Sequence, residues 1–238
     1  MKYKYSNNES YEDFSAGRVL YGFKGGTNFP VRLADELFNR CKEYIPKKTE
    51  ICLYDPCCGS GYLLTTVALI NYKYIDTIIG SDIDKGAIEI AIKNLSLLNN
   101  LGLEKRNAEL SQLYAKYGKE SHFDALKSLD NLRLLNRNNS NNIKIQLFQS
   151  DALNDSINKL IIKQPDIIIC DVPYGDMKVW SESSASVDSL LDNIHNIMKD
   201  DTVIAVIHDK SQKIINNKFT KIESIRNGKR VIMIMKKT

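Results

Sequence analysis

The chemistry-bearing residues of this chain are aspartates and glycines that follow predicted strands. The first set is the run Asp55-Pro56-Cys57-Cys58-Gly59-Ser60-Gly61-Tyr62. Its glycines allow the backbone to approach a ligand closely, at the sheet edge where doubly wound proteins bind nucleotides. The dinucleotide fingerprint needs a third glycine where Leu64 stands, and a P-loop needs a Lys-Ser/Thr pair after the glycines, which is missing. Because an acid suits an ammonium group better than a phosphate, the run predicts binding of S-adenosylmethionine (SAM) through its methionine end.

Two further acids follow the next two predicted strands. In Gly80-Ser81-Asp82-Ile83-Asp84, Asp82 is placed to accept hydrogen bonds from ribose hydroxyls, with Asp84 as the alternative. Asp151 follows the third strand, where a short acid can bind the adenine amino group. A single aspartate after a strand is often only a helix N-cap, whereas three in this order favour a SAM site. The predicted cofactor-binding residues from these motifs are Asp55, Cys57, Gly59, Gly61, Asp82, Ile83 and Asp151.

A third feature could carry the reaction itself. The apolar run ending at Asp171 leads into Val172-Pro173-Tyr174-Gly175-Asp176, similar to the (N/D/S)PPY signature of methyltransferases that modify nitrogen atoms. Asp171 and the carbonyl region of Pro173 would orient a weakly nucleophilic amine, and Tyr174 would stack on the base. Asp171, where Asn is frequent, could also act as a general base on a ring N1–H. The competing interpretation is an ordinary β-turn.

These residues require a sheet to position them, and the pattern of elements predicts one. Apolar runs at 51–55, 75–82, 143–150, 166–171 and 202–208 read as strands that alternate with helices. This pattern predicts an α/β fold, a doubly wound, seven-stranded, mostly parallel sheet of the Rossmann-like kind. Asn227-Gly228 predicts a C-terminal antiparallel hairpin. We expect a single domain over 1–238, with an N-terminal extension at 1–50 that includes a helix and a helical insertion at about 103–142.

Composition narrows the class of protein. The 238 residues are 43% hydrophobic, enough to build one sizeable core, and no apolar run reaches the roughly 18 residues of a membrane span. The N-terminus lacks the apolar segment of a secretory signal, and five cysteines without CxxC spacing favour a reducing cytoplasm over disulfides or zinc. The net charge is +4, yet residues 208–238 alone carry nine Lys/Arg against two acids. This asymmetry fits either a polyanion partner or a solvated sheet edge.

Together these motifs resemble class I SAM-dependent methyltransferases, and more narrowly the AviRa family of avilamycin-resistance rRNA methyltransferases. Besides the runs already quoted, the resemblance depends on Gly17-Arg18-Val19-Leu20 and Phe29-Pro30-Val31-Arg32-Leu33-Ala34. It implies methylation of a guanine base in large-subunit (23S) ribosomal RNA, which could confer resistance to orthosomycin-type antibiotics. It also implies that residues 29–32 close over the cofactor and that Arg32 lies near the cofactor carboxylate, although Arg32 could equally pair with Asp35 or Glu36.

We therefore predict a cytoplasmic, monomeric rRNA methyltransferase that uses SAM and no metal. Two other functions remain open from the sequence. One is methylation of a protein glutamine amide, since related Pro-Tyr loops also hold glutamine side chains. The other is a non-catalytic RNA-binding protein on the same fold.

Overall fold

The structure is a computed structural model that describes residues 1–238 except 24, 25, 27, 138–141, 155–159, 173–184, 211, 213 and 215. Within these residues the helices are α1 (Val31–Tyr44), α2 (Tyr62–Asn71), α3 (Lys85–Ser96), α4 (Asn100–Tyr117), α5 (Glu120–Arg137) and α6 (Ala185–Ile197). The strands are β1 (Ile51–Asp55), β2 (Ile75–Asp82), β3 (Lys144–Gln149), β4 (Ile167–Asp171), β5 (Val203–Asp209), β6 (Phe219–Asn227) and β7 (Arg230–Lys237). The sequence pattern also predicts a helix at 157–162, and this segment falls largely outside the described residues.

All seven strands form one sheet in the order β3-β2-β1-β4-β5-β7-β6. The first five are parallel, and β7 runs antiparallel to both β5 and β6. The predicted fold class is confirmed, including the C-terminal hairpin, which turns at Gly228 with a φ of 63°. Because parallel strands end at the same edge, the sheet gathers the residues that follow β1 to β5 along one side of the molecule.

Buried side chains alternate between the two faces of the sheet. On β1, Ile51 and Leu53 join the larger hydrophobic cluster, whereas Cys52 and Tyr54 join the smaller one. The larger cluster takes in the apolar sides of α1 to α5, and α6 covers the opposite face. Since side chains alternate with a period of two, Asp55 continues the face of Leu53, and Asp171 continues the face of Ile169. Both carboxylates therefore point to the side covered by α1, α2 and α3.

The predicted helical insertion consists of a pair of helices. Its first helix begins at Asn100, three residues before the predicted start, because the Asn99 side chain caps it by accepting the Gly102 amide at 2.9 Å. Gly118, with a φ of 60°, ends α4 and allows the chain to reverse into α5. Residues 111–121 are all exposed, so the distal end of this hairpin extends away from the body of the protein.

Hydrogen bonds hold the residues that precede α1 against the rest of the protein. Near its start, the buried Glu36 carboxylate of α1 accepts the backbone amides of Lys4, Tyr5 and Ser6 at 2.7–3.0 Å. Burial alone would raise the pKa of Glu36, but these amide bonds lower it. Further along, Arg106 of α4 donates to the carbonyl oxygens at positions 18 and 19, at 3.0 and 2.8 Å. The described residues before α1 are therefore part of the domain surface.

Candidate active site

The loop after β1 is tied to the neighbouring strand by its backbone. The Cys58 amide donates to the Ser81 carbonyl at 2.9 Å, and the Gly61 amide donates to the Cys58 carbonyl at 2.8 Å. Gly59 and Gly61 have φ values of 52° and 69°, a region that suits glycine. A Cβ on Gly59 would meet nothing within 4 Å, whereas one on Gly61 would lie 3.0 Å from the Ala91 Cβ on α3. Gly59 therefore leaves open space for a ligand, and Gly61 also allows α2 and α3 to pack closely.

Asp82 fixes the shape of this loop. One carboxylate oxygen accepts the Gly59 amide at 2.8 Å, and the other accepts the Asp84 amide at 2.9 Å. Each oxygen keeps a second lone pair with which a ribose hydroxyl could bond. Asp84, the alternative ribose ligand, instead caps α3 by accepting the Gly86 and Ala87 amides. Ile83 between them is 53% exposed and offers an apolar surface beside the acid.

Asp55 is the most deeply buried acid at this edge, with 2% of its surface exposed. Its carboxylate accepts the Cys57 amide at 3.0 Å. Burial raises the pKa of Asp55 well above its usual value, and the nearby carboxylates of Asp82 and Asp171 raise it further. The sheet thus brings together three acids that lie far apart in the sequence. Such a cluster favours a ligand that carries positive charge.

Asp171 ends β4 beside this cluster. Burial raises the pKa of Asp171 to about 6, and the positive charge of Arg230 partly opposes that rise. One of its carboxylate oxygens is buried without a hydrogen-bond partner in the described part of the chain. Leaving a buried acceptor without a partner is costly, and a bound ligand is one way in which such an atom is satisfied.

The residues that follow β3 differ in exposure. Ser150 is buried, and its hydroxyl has no partner among the described residues, while its amide donates to the Asp82 carbonyl at 2.9 Å. Asp151 is exposed, and one of its oxygens accepts the Leu153 amide at 2.9 Å. The predicted adenine ligand therefore adjoins the predicted ribose ligand, and it is accessible.

Arg32 pairs with neither Asp35 nor Glu36, so that alternative was wrong. Its guanidinium donates to the Asn8 side chain at 2.8 Å and lies 4.0 Å from the centre of the Tyr3 ring. Asp35 and Glu36 bind other groups of the N-terminal extension and of α1 instead. The predicted contact between Arg32 and a cofactor carboxylate stays a prediction.

Cys57 is partly buried near the thiol of Cys170 on β4. The hydrogen bond between these two thiols, together with burial, raises the pKa of Cys170 well above its usual value. A thiol with a raised pKa is a poor nucleophile, so Cys170 contributes packing at the site, and the predicted cofactor contact of Cys57 stays a prediction. The other predicted catalytic residues, Pro173 and Tyr174, lie outside the described residues.

Sequence reasoning missed Arg230, which it counted only as part of the basic C-terminal stretch. Asp171 aligns with Ile207, and Ile207 aligns with Ile232 on β7. Arg230 lies two residues from Ile232, so its side chain leaves the same face of the sheet as Asp171. Its guanidinium carbon is 5.4 Å from the centre of the Phe29 ring. The Asn-Gly turn was the available signal, because a hairpin strand returns to the edge where β5 ends.

Asn94 of α3 was also missed. This fully buried side chain accepts the Tyr21 amide at 2.7 Å and donates to the Tyr21 and Ser60 carbonyls at 3.0 and 2.9 Å. It therefore joins the N-terminal extension to the glycine loop. The available signal was its position, because Asn94 follows Ala87 and Ala91 at helical spacing on the buried side of α3.

Two classes of site are not found in the described part of the chain. It contains no group of three or more His, Cys, Asp or Glu residues placed to hold a metal ion. None of its helices combines the length and apolar character that a membrane crossing requires.

The sheet order, the glycine loop and the acids at the strand ends define the class I methyltransferase fold. A Listeria monocytogenes protein described as a putative class I SAM-dependent methyltransferase shares that fold. Its TM-score is 0.54 at 14% identity, covering 90% of this chain and 64% of the other.

The chain belongs to the AviRa rRNA methyltransferase family, since the sequence model of that family matches residues 1–230. It is 31% identical to the 23S rRNA (guanine(2535)-N(1))-methyltransferase of Streptomyces viridochromogenes over 228 residues, 94% of this chain and 91% of the relative. A solved structure of rRNA methyltransferase AviRa from that organism has a TM-score of 0.88 at 30% identity, covering 97% and 94% of the two chains.

Proposed function

We propose that this protein transfers a methyl group from SAM to N1 of a guanine in 23S ribosomal RNA. Family membership and the activity named for the Streptomyces relative support the reaction type and the RNA substrate. The structural observation that carries the proposal is one buried carboxylate oxygen of Asp171, which has no hydrogen-bond partner among the described residues.

The residues along β1 to β3 suit SAM. Asp55 would bind the ammonium group, whose positive charge removes the penalty of burying that carboxylate. Gly59 leaves space for the backbone to approach the ligand, and Asp82 would accept bonds from the ribose. Exposed Ile83 would lie against the adenine ring, and Asp151 would bind its amino group. When bound, SAM supplies an electrophilic methyl group, and its sulfur keeps the electron pair of the bond that breaks.

Asp171 supplies the base that guanine N1 requires. The N1 lone pair is delocalised, and N1 carries a proton that must leave when the N–CH₃ bond forms. An ionised Asp171 would accept that proton and orient the N1–H and N2–H edge toward the methyl group. A pKa of about 6 leaves most Asp171 ionised at neutral pH while keeping it more basic than an ordinary aspartate.

Arg230 would act on the same edge of the base, at O6, which adjoins N1. As N1 loses its proton, negative charge develops on the guanine O6, and a guanidinium on the Asp171 face of the sheet can stabilise it. Adenine has an amino group at that position. The amino group and the guanidinium are both hydrogen-bond donors, so they cannot bond to each other. The Asp171–Arg230 pair therefore favours guanine over adenine.

Methyl transfer to defined RNA tests the proposal. Wild-type protein, Asp171→Asn and the matched control Asp200→Asn are incubated with labelled SAM and either naked 23S rRNA or large subunits. We expect N1-methylguanine with wild type and the control, since Asp200 is an exposed acid. Asp171→Asn should lower kcat by about 10²–10⁴-fold, the usual contribution of a general base. Methylation of protein but not RNA, or full activity of Asp171→Asn, would contradict the proposal.

The predicted resistance follows only if the methylated base lies where an orthosomycin-type antibiotic binds. Expression of wild-type protein in a sensitive strain should then raise the inhibitory concentration, and Asp171→Asn should leave it unchanged. Equal resistance from wild type and Asp171→Asn would show that resistance does not depend on methylation.

A further inference from the structure

The distal half of the α4–α5 hairpin is exposed to solvent. Burial in α4 stops at Leu110, and burial in α5 begins at Ala125. At 1.5 Å per residue, the last seven residues of α4 project about 10 Å beyond Leu110. A solvated helix extension normally presents polar side chains, but this one carries aromatic rings. We call residues 113–127 the hairpin tip.

Three rings of the hairpin tip face solvent. Tyr114 is 40% exposed, Tyr117 is 53% exposed and Phe123 is 44% exposed. Tyr114 and Phe123 contact each other across the two helices, with ring centres 5.6 Å apart, and Tyr117 lies 6.0 Å from the His122 ring. These contacts close the tip of the hairpin, yet they leave much of each ring accessible.

Lysine ammonium groups flank the same rings. Lys116 and Lys119 lie 5.1 and 5.9 Å from the centre of the Tyr117 ring, and Lys127 lies 4.4 Å from the centre of the Phe123 ring. Of the two acids in the tip, Asp124 is paired with Lys127 at 3.6 Å. Accessible rings bordered by cations can stack on bases while neutralising phosphates, which is how proteins bind single-stranded nucleic acid.

We propose that the hairpin tip is an RNA-docking surface that holds unpaired nucleotides of the rRNA substrate away from the methylated base. The inference rests on the proposed function and extends it to how the substrate is recognised. RNA is favoured over a protein partner because lysine ammonium groups lie beside the exposed Tyr117 and Phe123 rings and interrupt the apolar surface of the tip.

The base of the hairpin is connected to the cofactor side of the protein. Arg106 of α4 binds the Arg18 and Val19 carbonyls and lies 4.2 Å from the centre of the Tyr21 ring. Tyr21 is in turn bound to Asn94, which bonds to the glycine loop. The tip is thus carried on a rigid support rather than on a linker, as a docking element that positions a substrate requires.

The test separates stacking, charge and fold. We would compare Tyr117→Leu, which keeps apolar area, with Tyr117→Phe, which keeps the stacking ring, and with Lys116→Gln/Lys119→Gln. The charge-matched control is Lys42→Gln/Lys73→Gln, since these lysines flank the Tyr74 ring, 3.4 and 4.9 Å from its centre, elsewhere on the protein. Filter binding and KM would be measured with a long 23S rRNA fragment and with a short oligonucleotide containing only the target guanine.

For the long RNA, we expect Tyr117→Leu to weaken binding by roughly 5- to 150-fold, the effect of losing one stacked base. Tyr117→Phe and the Lys42/Lys73 control should bind as wild type does. Lys116→Gln/Lys119→Gln should reduce the slope of log affinity against log salt by about 1.4–1.8. For the short oligonucleotide, KM, kcat and SAM affinity should stay unchanged in all variants.

Equal binding of long RNA by wild type and Tyr117→Leu would overturn the inference. So would a loss seen only with assembled subunits, because that result would indicate docking to protein. If long-RNA binding depends on the tip but no methyl transfer occurs to any RNA, the proposed function fails while the docking surface stands.

Discussion

At the scale of single residues, burial is what turns an aspartate into a candidate base. Asp171 on β4 and Asp55 on β1 have raised pKa values mainly because the protein withholds water from them. Arg230 then limits the rise at Asp171. The same residue type therefore has two chemistries at one sheet edge: Asp55 favours a positively charged ligand, and Asp171 is poised to accept a proton.

The pH dependence of activity should report this arrangement. We expect kcat/KM for RNA to fall below about pH 6, because Asp171 must be ionised to accept the N1 proton. Arg230→Met removes the charge that lowers the pKa of Asp171, so the acidic limb should move to higher pH. Arg230→Lys should keep it closer to wild type. A limb that stays in place in Arg230→Met would show that Asp171 does not set it.

At the scale of elements, Gly59 and Gly61 of the cofactor loop have different structural roles. Both have positive φ values, but only Gly61 faces the backbone of α3, where a Cβ would lie 3.1 Å from the Ala91 Cα. Gly61 thus fixes the distance between α2 and α3, and through α3 it helps to position Asn94. Gly59 opens toward the ligand side and bonds to Asp82.

A matched pair of variants should separate the two roles. Gly59→Ala should lower the free energy of unfolding by about 1–2 kcal/mol, the cost of the left-handed conformation. Gly61→Ala should cost about 2–4 kcal/mol, because it adds the clash with α3. Urea denaturation measures both changes. Equal losses of unfolding free energy in the two variants would mean that α3 shifts to accommodate the added Cβ without cost.

At the scale of the whole molecule, the net charge of +4 averages opposed surfaces. Acids converge on the cofactor edge, whereas lysines flank the hairpin tip and the C-terminal hairpin. This separation suits a cationic cofactor and a polyanionic substrate that must meet at one site. A cytosolic monomer remains our expectation, which size-exclusion chromatography can test for oligomeric state.

Ligand binding should therefore be visible in global stability. SAM at about 100 times its Kd should stabilise the fold by about 2.7 kcal/mol, or roughly 5–10 °C in Tm for a protein of this size. Differential scanning calorimetry measures the shift.

Asp55→Asn should largely abolish that shift and yet stabilise the ligand-free protein at neutral pH. The pKa of Asp55 is raised in the folded state, so wild-type stability falls as pH rises above the ordinary value of 3.8, where the unfolded chain ionises first. The asparagine variant has no such loss, and the two proteins should converge below about pH 4. A less stable Asp55→Asn protein at neutral pH would contradict this account.

The sequence by itself determined the α/β fold class with its mostly parallel sheet, the C-terminal hairpin and the position of each acid at the end of a strand. These features are local: hydrophobic periodicity, turn residues and motif spacing are all read within about ten residues. Only the tertiary structure decided that Asp171 shares a face with Arg230, that Gly61 serves helix packing, and that Asn94 joins the N-terminal extension to the glycine loop. Each of these depends on contacts between residues distant in sequence, and no local pattern records which side chains such contacts will bury.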